Sequence, residues 1–178
     1  MELTEQIILL AKEIGFETVA VMDPKTIELR EEVRAMCAEG KCNAYGRNWT
    51  CPPACGDLEH CRSVVAKYRK GIIVQTVGQL EDSLDYESMM EAGKTHKERF
   101  RSLAEKTREF CPDALCLGAG GCTVCKTCSY PEPCRFPEKA FSSMEGYGML
   151  VSDVCAANHV LYYHGPDTVT YVGCCLLT

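Results

Sequence analysis

Residues 118–137 read Gly-Ala-Gly-Gly-Cys-Thr-Val-Cys-Lys-Thr-Cys-Ser-Tyr-Pro-Glu-Pro-Cys-Arg-Phe-Pro, and their sulfur atoms set the chemistry to be explained. Cys122, Cys125 and Cys128 stand three residues apart, and Cys134 follows after a gap that holds two prolines. A tight loop with that spacing turns its thiolates inward, so that they can wrap one corner of an inorganic cluster. The glycines ahead of the loop let the backbone approach closely. Pro131, Pro133 and Pro137 restrict the loop beforehand, so less freedom is lost when a metal binds. Lys126, Arg135 and Lys139 add positive charge that favours the reduced, more anionic form of a cluster. Of these, Lys126 and Arg135 are the candidate cofactor contacts.

The C-x2-C-x2-C run with a fourth cysteine near a proline resembles the bacterial ferredoxin pattern, which holds a [4Fe-4S] cluster. Zinc is the rival, although a zinc ribbon usually joins two separate knuckles rather than one continuous run. Reduced thiols without metal are the third reading. In two-cluster ferredoxins the fourth cysteine of such a run serves the other cluster, so Cys134 is open to either of two sites. A second group supplies Cys37, Cys42, Cys51 and Cys55, with Cys61 close behind, on a loop broken by Gly40, Gly46, Pro52, Pro53 and Gly56. Thiol density predicts a second metal site there, with no standard spacing. Cys37 and Cys61 also read as small apolar residues on helix faces. Cys155 and Cys174 are further candidates to close the second site, with Cys155 better suited to core. Cys174 and Cys175 must point to opposite faces of a strand, so at most one reaches a given site. Trp49, the single tryptophan, suits shielding a cluster or ordinary packing.

The chain has 178 residues, 14 of them cysteine, and a formal net charge of −6. One metal-binding domain over residues 1–178 is expected, with cysteine-rich loops at about 37–61 and 116–137. That length supports a hydrophobic core without help from metal. An acidic chain with no basic stripe is a poor partner for nucleic acid. No stretch reaches the ~18 apolar residues of a membrane span. The N-terminus lacks a basic n-region, and the apolar run 7–11 is cut by Lys12 and Glu13. A cytoplasmic location is therefore expected, where thiols stay reduced and cysteine clusters bind metal. An anaerobic or reducing setting fits so many thiols.

These loops must be held by helices and strands. Leu3, Ile7, Leu10 and Ile14 repeat at helical spacing before Gly15. Residues 16–22 predict a strand. Asp23-Pro24 opens a helix that runs to Cys37. Asp57 caps another, with Leu58, Cys61, Val65 and Tyr68 on one side. Residues 71–78 predict an interior strand. Residues 82–110 predict a long helix, its first half on the surface and its second half buried through Phe100, Leu103, Ala104, Thr107 and Phe110. Residues 114–117 predict a strand that feeds the cysteine loop. Ser142 with Glu145 predicts a capping box, followed by a helical stripe through Met144, Tyr147, Val151, Val154 and Cys155. Residues 160–163 and 168–177 predict a hairpin. The expected class is α/β or α+β, a mixed sheet flanked by helices.

The segments Cys-x4-Cys-x2-Tyr-Gly-x2-Trp-Thr-Cys-Pro-Pro, Leu-Gly-Ala-Gly-x-Cys-x2-Cys-x2-Cys, Cys-Arg-x-Pro and Ser-Met-Glu-x-Tyr-Gly together resemble a prokaryotic family of predicted metal-binding proteins of unknown function. The resemblance spans nearly the whole chain. It implies a cysteine-rich iron–sulfur protein, of a kind common in anaerobes. It implies Cys37, Cys42, Cys51, Cys122, Cys125, Cys128 and Cys134 as ligands, with a weaker match at Cys55 and Cys61. Tyr45, Gly46, Pro52, Pro53, Arg135, Ser143, Met144 and Glu145 match motif positions to which it assigns no role.

No phosphate loop or nucleophile elbow competes, and residues 118–121 lack the spacing of a dinucleotide turn. His60, His96, His159 and His164 are scattered; His60 stands nearest the thiols. Three functions follow. One is an electron-transfer module with one or two [4Fe-4S] clusters and a redox partner protein. Another is an enzyme whose open iron acts on a small-molecule substrate. The last is a zinc protein without redox work.

Overall fold

A computed structural model describes residues 2–178. Its strands are β1 (Thr18–Met22), β2 (Lys70–Gln79), β3 (Leu115–Leu117) and β4 (Thr168–Leu177), in the order β1-β2-β4-β3. Every pairing is antiparallel. The longest, β2 with β4, runs from Lys70↔Leu177 to Gln79↔Thr168. The helices are α1 (Leu3–Ile14), α2 (Glu31–Ala38), α3 (Leu58–Val65), α4 (Tyr86–Phe110) and α5 (Val151–Ala157). The expected combination of helices and sheet is what the chain adopts. No helix among the described residues is long and apolar enough to cross a membrane.

Side chains alternate between the sheet's faces and divide the core in two. Ile72, Val74, Cys116, Cys175 and Leu177 pack with Ile7 and Ala11 of α1 and with Phe100, Leu103 and Ala104 of α4. Ile73, Val172, Cys174 and Leu176 pack on the opposite face with α3, α5, Met144 and Met149. Cys174 and Cys175 therefore do point opposite ways, and both are fully buried.

Local signals set several boundaries. Gly15 ends α1 in a left-handed conformation, φ 110°. Asp57 caps α3 by accepting from His60 N, and Asp85 caps α4 by accepting from Ser88 N. From that cap α4 continues unbroken for 25 residues. Phe100 fixes α4 against the sheet. A Cβ on Gly173 would lie 2.4 Å from its ring, and a Cβ on Gly118 would lie 3.2 Å from it. Two glycines thus let one aromatic ring sit against β4 and against the residue that follows β3.

Three predicted elements differ, each because a distant partner takes the backbone. The helix expected from Pro24 to Cys37 is split into a 3-10 turn, Pro24–Thr26, and α2. Between them Leu29 bridges to Met149, and Arg30 N donates to Gly148 O at 2.8 Å. The helix expected from Ser142 begins only at Val151. Residues 143–149 form a compact turn instead, in which Ser143, not Ser142, accepts from Gly146 N at 2.9 Å. Residues 160–163 form no strand. Their backbone lies over a face of the sheet, where Gln75 Nε2 donates to Leu161 O at 2.9 Å.

Candidate metal centre

The turn at 143–149 positions both cysteine loops. Gly118 N donates to Ser142 O, and Met144 N donates to Gly118 O, which pins the start of the second loop as it leaves β3. The Leu29–Met149 bridge pins the approach to α2, whose last turn carries Cys37. The two thiol groups therefore hang from opposite ends of one turn.

In the second loop Cys122, Cys125, Cys128 and Cys134 line a single small cavity whose closed part is about the size of one water. Asn48, Trp49 and Thr50 reach into the same cavity from the first loop. Trp49 Nε1 donates to Glu132 O at 2.7 Å, and its ring meets Tyr130 edge-on at 5.0 Å. The tryptophan thus rests on the second loop. Of the two candidate cofactor contacts, Arg135 donates to Thr127 O at 3.0 Å and clasps the loop backbone. Lys126 is exposed.

In the first loop two of the sulfurs lie against the 143–149 turn. Cys37 Sγ approaches Glu145 O at 4.0 Å, and Cys55 Sγ approaches Gly146 O at 3.6 Å. The backbone next to Cys51 passes close to the same turn, with Thr50 O 3.6 Å from the Cβ position of Gly146. Cys51 interacts electrostatically with Cys37, Cys42 and Cys122, so it stands between the groups. Gly121 of the second loop is its neighbour, its Cβ position 3.6 Å from Cys51 Sγ. Cys42 is exposed.

Burial pushes the Cys37, Cys51 and Cys122 thiols above their ordinary range. Without metal they hold their protons, and a metal that binds them must displace those protons. Cys55 and Cys61 share a thiol hydrogen bond, which holds Cys55 up and draws Cys61 down. Arg34 assists from 3.7 Å, while also donating to Gly146 O and Gly56 O. Cys61, on α3, is fully buried in the core, and Cys155 and Cys174 lie in the same core cluster. His60 is exposed on α3. Among the described residues, no three His, Cys, Asp or Glu side chains converge on a point that one ion could fill.

A family model described as "Predicted metal-binding protein (DUF2284)" matches residues 20–177. The chain belongs to this family. No curated protein and no solved structure matches it. A DUF2284 chain with these donors fits a soft metal: four thiols share one cavity and further thiols collect on one turn.

Sequence reasoning missed three groups. Arg34 lies in the stretch 24–37, where no motif singles it out. Lys97, whose Nζ donates to Gly121 O at 3.1 Å, belongs to a stretch read as surface. Glu145 was seen in the Ser-Met-Glu-x-Tyr-Gly motif without a role. Its Oε2 is buried without a hydrogen-bond partner, and burial raises its carboxyl above the usual range.

Proposed function

We propose that the chain is an iron–sulfur redox module, with a [4Fe-4S] cluster in the second loop and another metal centre in the first. The observation that carries this reading is the shared cavity of Cys122, Cys125, Cys128 and Cys134 beneath Trp49. A bound cluster would supply one-electron chemistry. The chain's own groups do the rest. Trp49, braced by Tyr130, would cover one side of the cluster. Arg135 holds the loop closed, and Lys97 sets a positive charge near Cys122 and Cys51. Cys51, set between the two groups, gives electrons a short route from one loop to the other. A redox partner protein would dock where the first loop is open, at exposed Cys42.

A second reading makes the first loop an open site that acts on a small substrate. The partnerless Glu145 Oε2, beside Cys37, favours it. A zinc protein is the remaining alternative. Anoxic protein should contain iron and acid-labile sulfide and absorb in the visible. Cys125→Ser should remove the ferredoxin-like signal. Cys51→Ser should alter a spectroscopically separate one. Colourless protein with stoichiometric zinc and no sulfide would replace the redox reading. A C125S variant with full iron and sulfide would remove the assigned role of Cys125.

A further inference from the structure

An open groove of about 660 Å³ runs between α3 and residues 24–30. Leu29, Val65 and Tyr68 give it an apolar floor. Lys25, Arg62 and Arg69, all exposed, line it as well. Arg62 Nη2 donates to Leu29 O and Arg69 Nη1 donates to Ala66 O, each at 3.0 Å. A guanidinium has five N–H donors, so each arginine keeps others for a ligand. The nearby carboxylates are taken. Glu28 pairs with Arg30, which also pairs with Asp153, and Asp23 accepts from Lys25 N. Among the described residues, no carboxylate lies within ion-pair distance of the Lys25, Arg62 or Arg69 side chains.

The stretch that follows β2 has the opposite character. No Lys or Arg occurs between Lys70 and Lys94, whereas Glu81, Asp82, Asp85, Glu87 and Glu91 do. Three large apolar side chains stand out among these acids: Leu84, Tyr86 and Met90 are 68%, 66% and 75% exposed. Tyr86 and Met90 are four residues apart and share one side of α4. The stretch has a fixed shape. Leu84 N donates to Asp82 Oδ1, Asp85 N to Asp82 O and Ser88 N to Asp85 Oδ1, which fold it into a knob. Apolar side chains held in solvent among acids suit a partner with an apolar floor and cations around it.

Groove and knob lie at opposite ends of β2. Tyr68 and Arg69 come directly before Lys70, and Leu80 comes directly after Gln79. A strand of that length spans about 30 Å, so a chain cannot fill its own groove. We propose that the groove receives the 81–90 knob of a second copy of this chain. Leu84 and Tyr86 cover Leu29, Val65 and Tyr68, while Glu81 and Glu87 meet Lys25, Arg62 and Arg69. A two-fold rotation makes this contact twice in a closed pair; a translation along β2 makes it once per copy in an open row. Neither surface holds a cysteine, so the inference does not depend on which metal the thiols bind.

The test is sedimentation velocity on the full chain, anoxic and fully reduced, its metal content measured. One knob in one groove is a small contact, so a mass above that of a single chain should appear on the order of 10–100 µM. Raising salt from about 0.05 M to about 0.5 M should weaken association several-fold, because the charges are exposed. Arg62→Glu with Arg69→Glu makes both surfaces acidic, and Glu81→Lys with Glu87→Lys makes both basic. Each double variant alone should associate at least about tenfold more weakly than the parent. Mixed in equal amounts, the two should associate again, because acidic knob then meets basic groove and basic knob meets acidic groove. Leu84→Gln should weaken association and leave its salt dependence unchanged. A single-chain mass up to about 500 µM would overturn the proposal. So would parent-like association of either double variant, or failure of two folded variants to recover association on mixing. If a charge variant does not fold, L84Q decides alone, and parent-like association in it overturns the proposal.

Discussion

His96 is fully buried, with Phe16 edge-on at 5.8 Å, Phe100 stacked at 6.0 Å and Tyr171 tilted at 6.1 Å. Burial, reinforced by Arg99 and Lys97, pulls its imidazole down to about 4 from an ordinary 6.5. Between those pH values the unfolded chain binds the proton and the folded chain does not. Stability therefore falls as pH drops from about 6.5 to about 4, by ~3 kcal/mol for this residue, and this contribution is flat above that window. Urea unfolding in amine buffers should show a shallower pH slope for His96→Gln than for the parent across that range. Equal slopes would mean that His96 stays protonated when folded. The sequence placed this histidine among four scattered ones. Nothing local marks it as buried, because its cover comes from Phe16 between α1 and β1, from Tyr171 of β4 and from the next turn of its own helix. Cys125 is the opposite case. The thiols that share its cavity are its near neighbours in the chain, so their grouping was legible.

Phe100 links α4 to the second thiol loop by resting against Gly173 and beside Gly118. Gly173→Ala would drive a methyl group into a fully buried ring, so stability should fall by about 1–3 kcal/mol. Denaturant unfolding measures this. The double variant Gly173→Ala, Phe100→Leu should recover part of the loss, whereas no recovery would mean that the strand backbone rather than the ring is displaced. The same scale shows why some elements were readable and others were not. α1, β2 and β4 follow from local periodicity and caps. The break before α2 and the late start of α5 do not, because Leu29 and Ser143 spend their backbone on bridges to remote residues. The missing hairpin has the same cause, since Gln75 claims the backbone at Leu161.

Across the whole molecule, one sheet carries two cores, and a single turn at 143–149 holds both cysteine loops. The four cysteines of the second loop were legible together because one cavity is built from one run of chain. The first loop was less so: the sulfurs of Cys37 and Cys55 lie against the carbonyls of Glu145 and Gly146, about a hundred residues away. The motif that contains those carbonyls could be seen but not interpreted until the turn was placed. Trp49 gives this arrangement an optical gauge. It is the sole indole in the chain, it belongs to the first loop, and it rests on the second. An absorbing cluster beneath it would drain its excited state, so emission should be dim in loaded protein and rise severalfold after anoxic chelation. Cys125→Ser should be bright from the start and Cys37→Ser nearly as dim as the parent, so a single fluorophore would report which loop is filled.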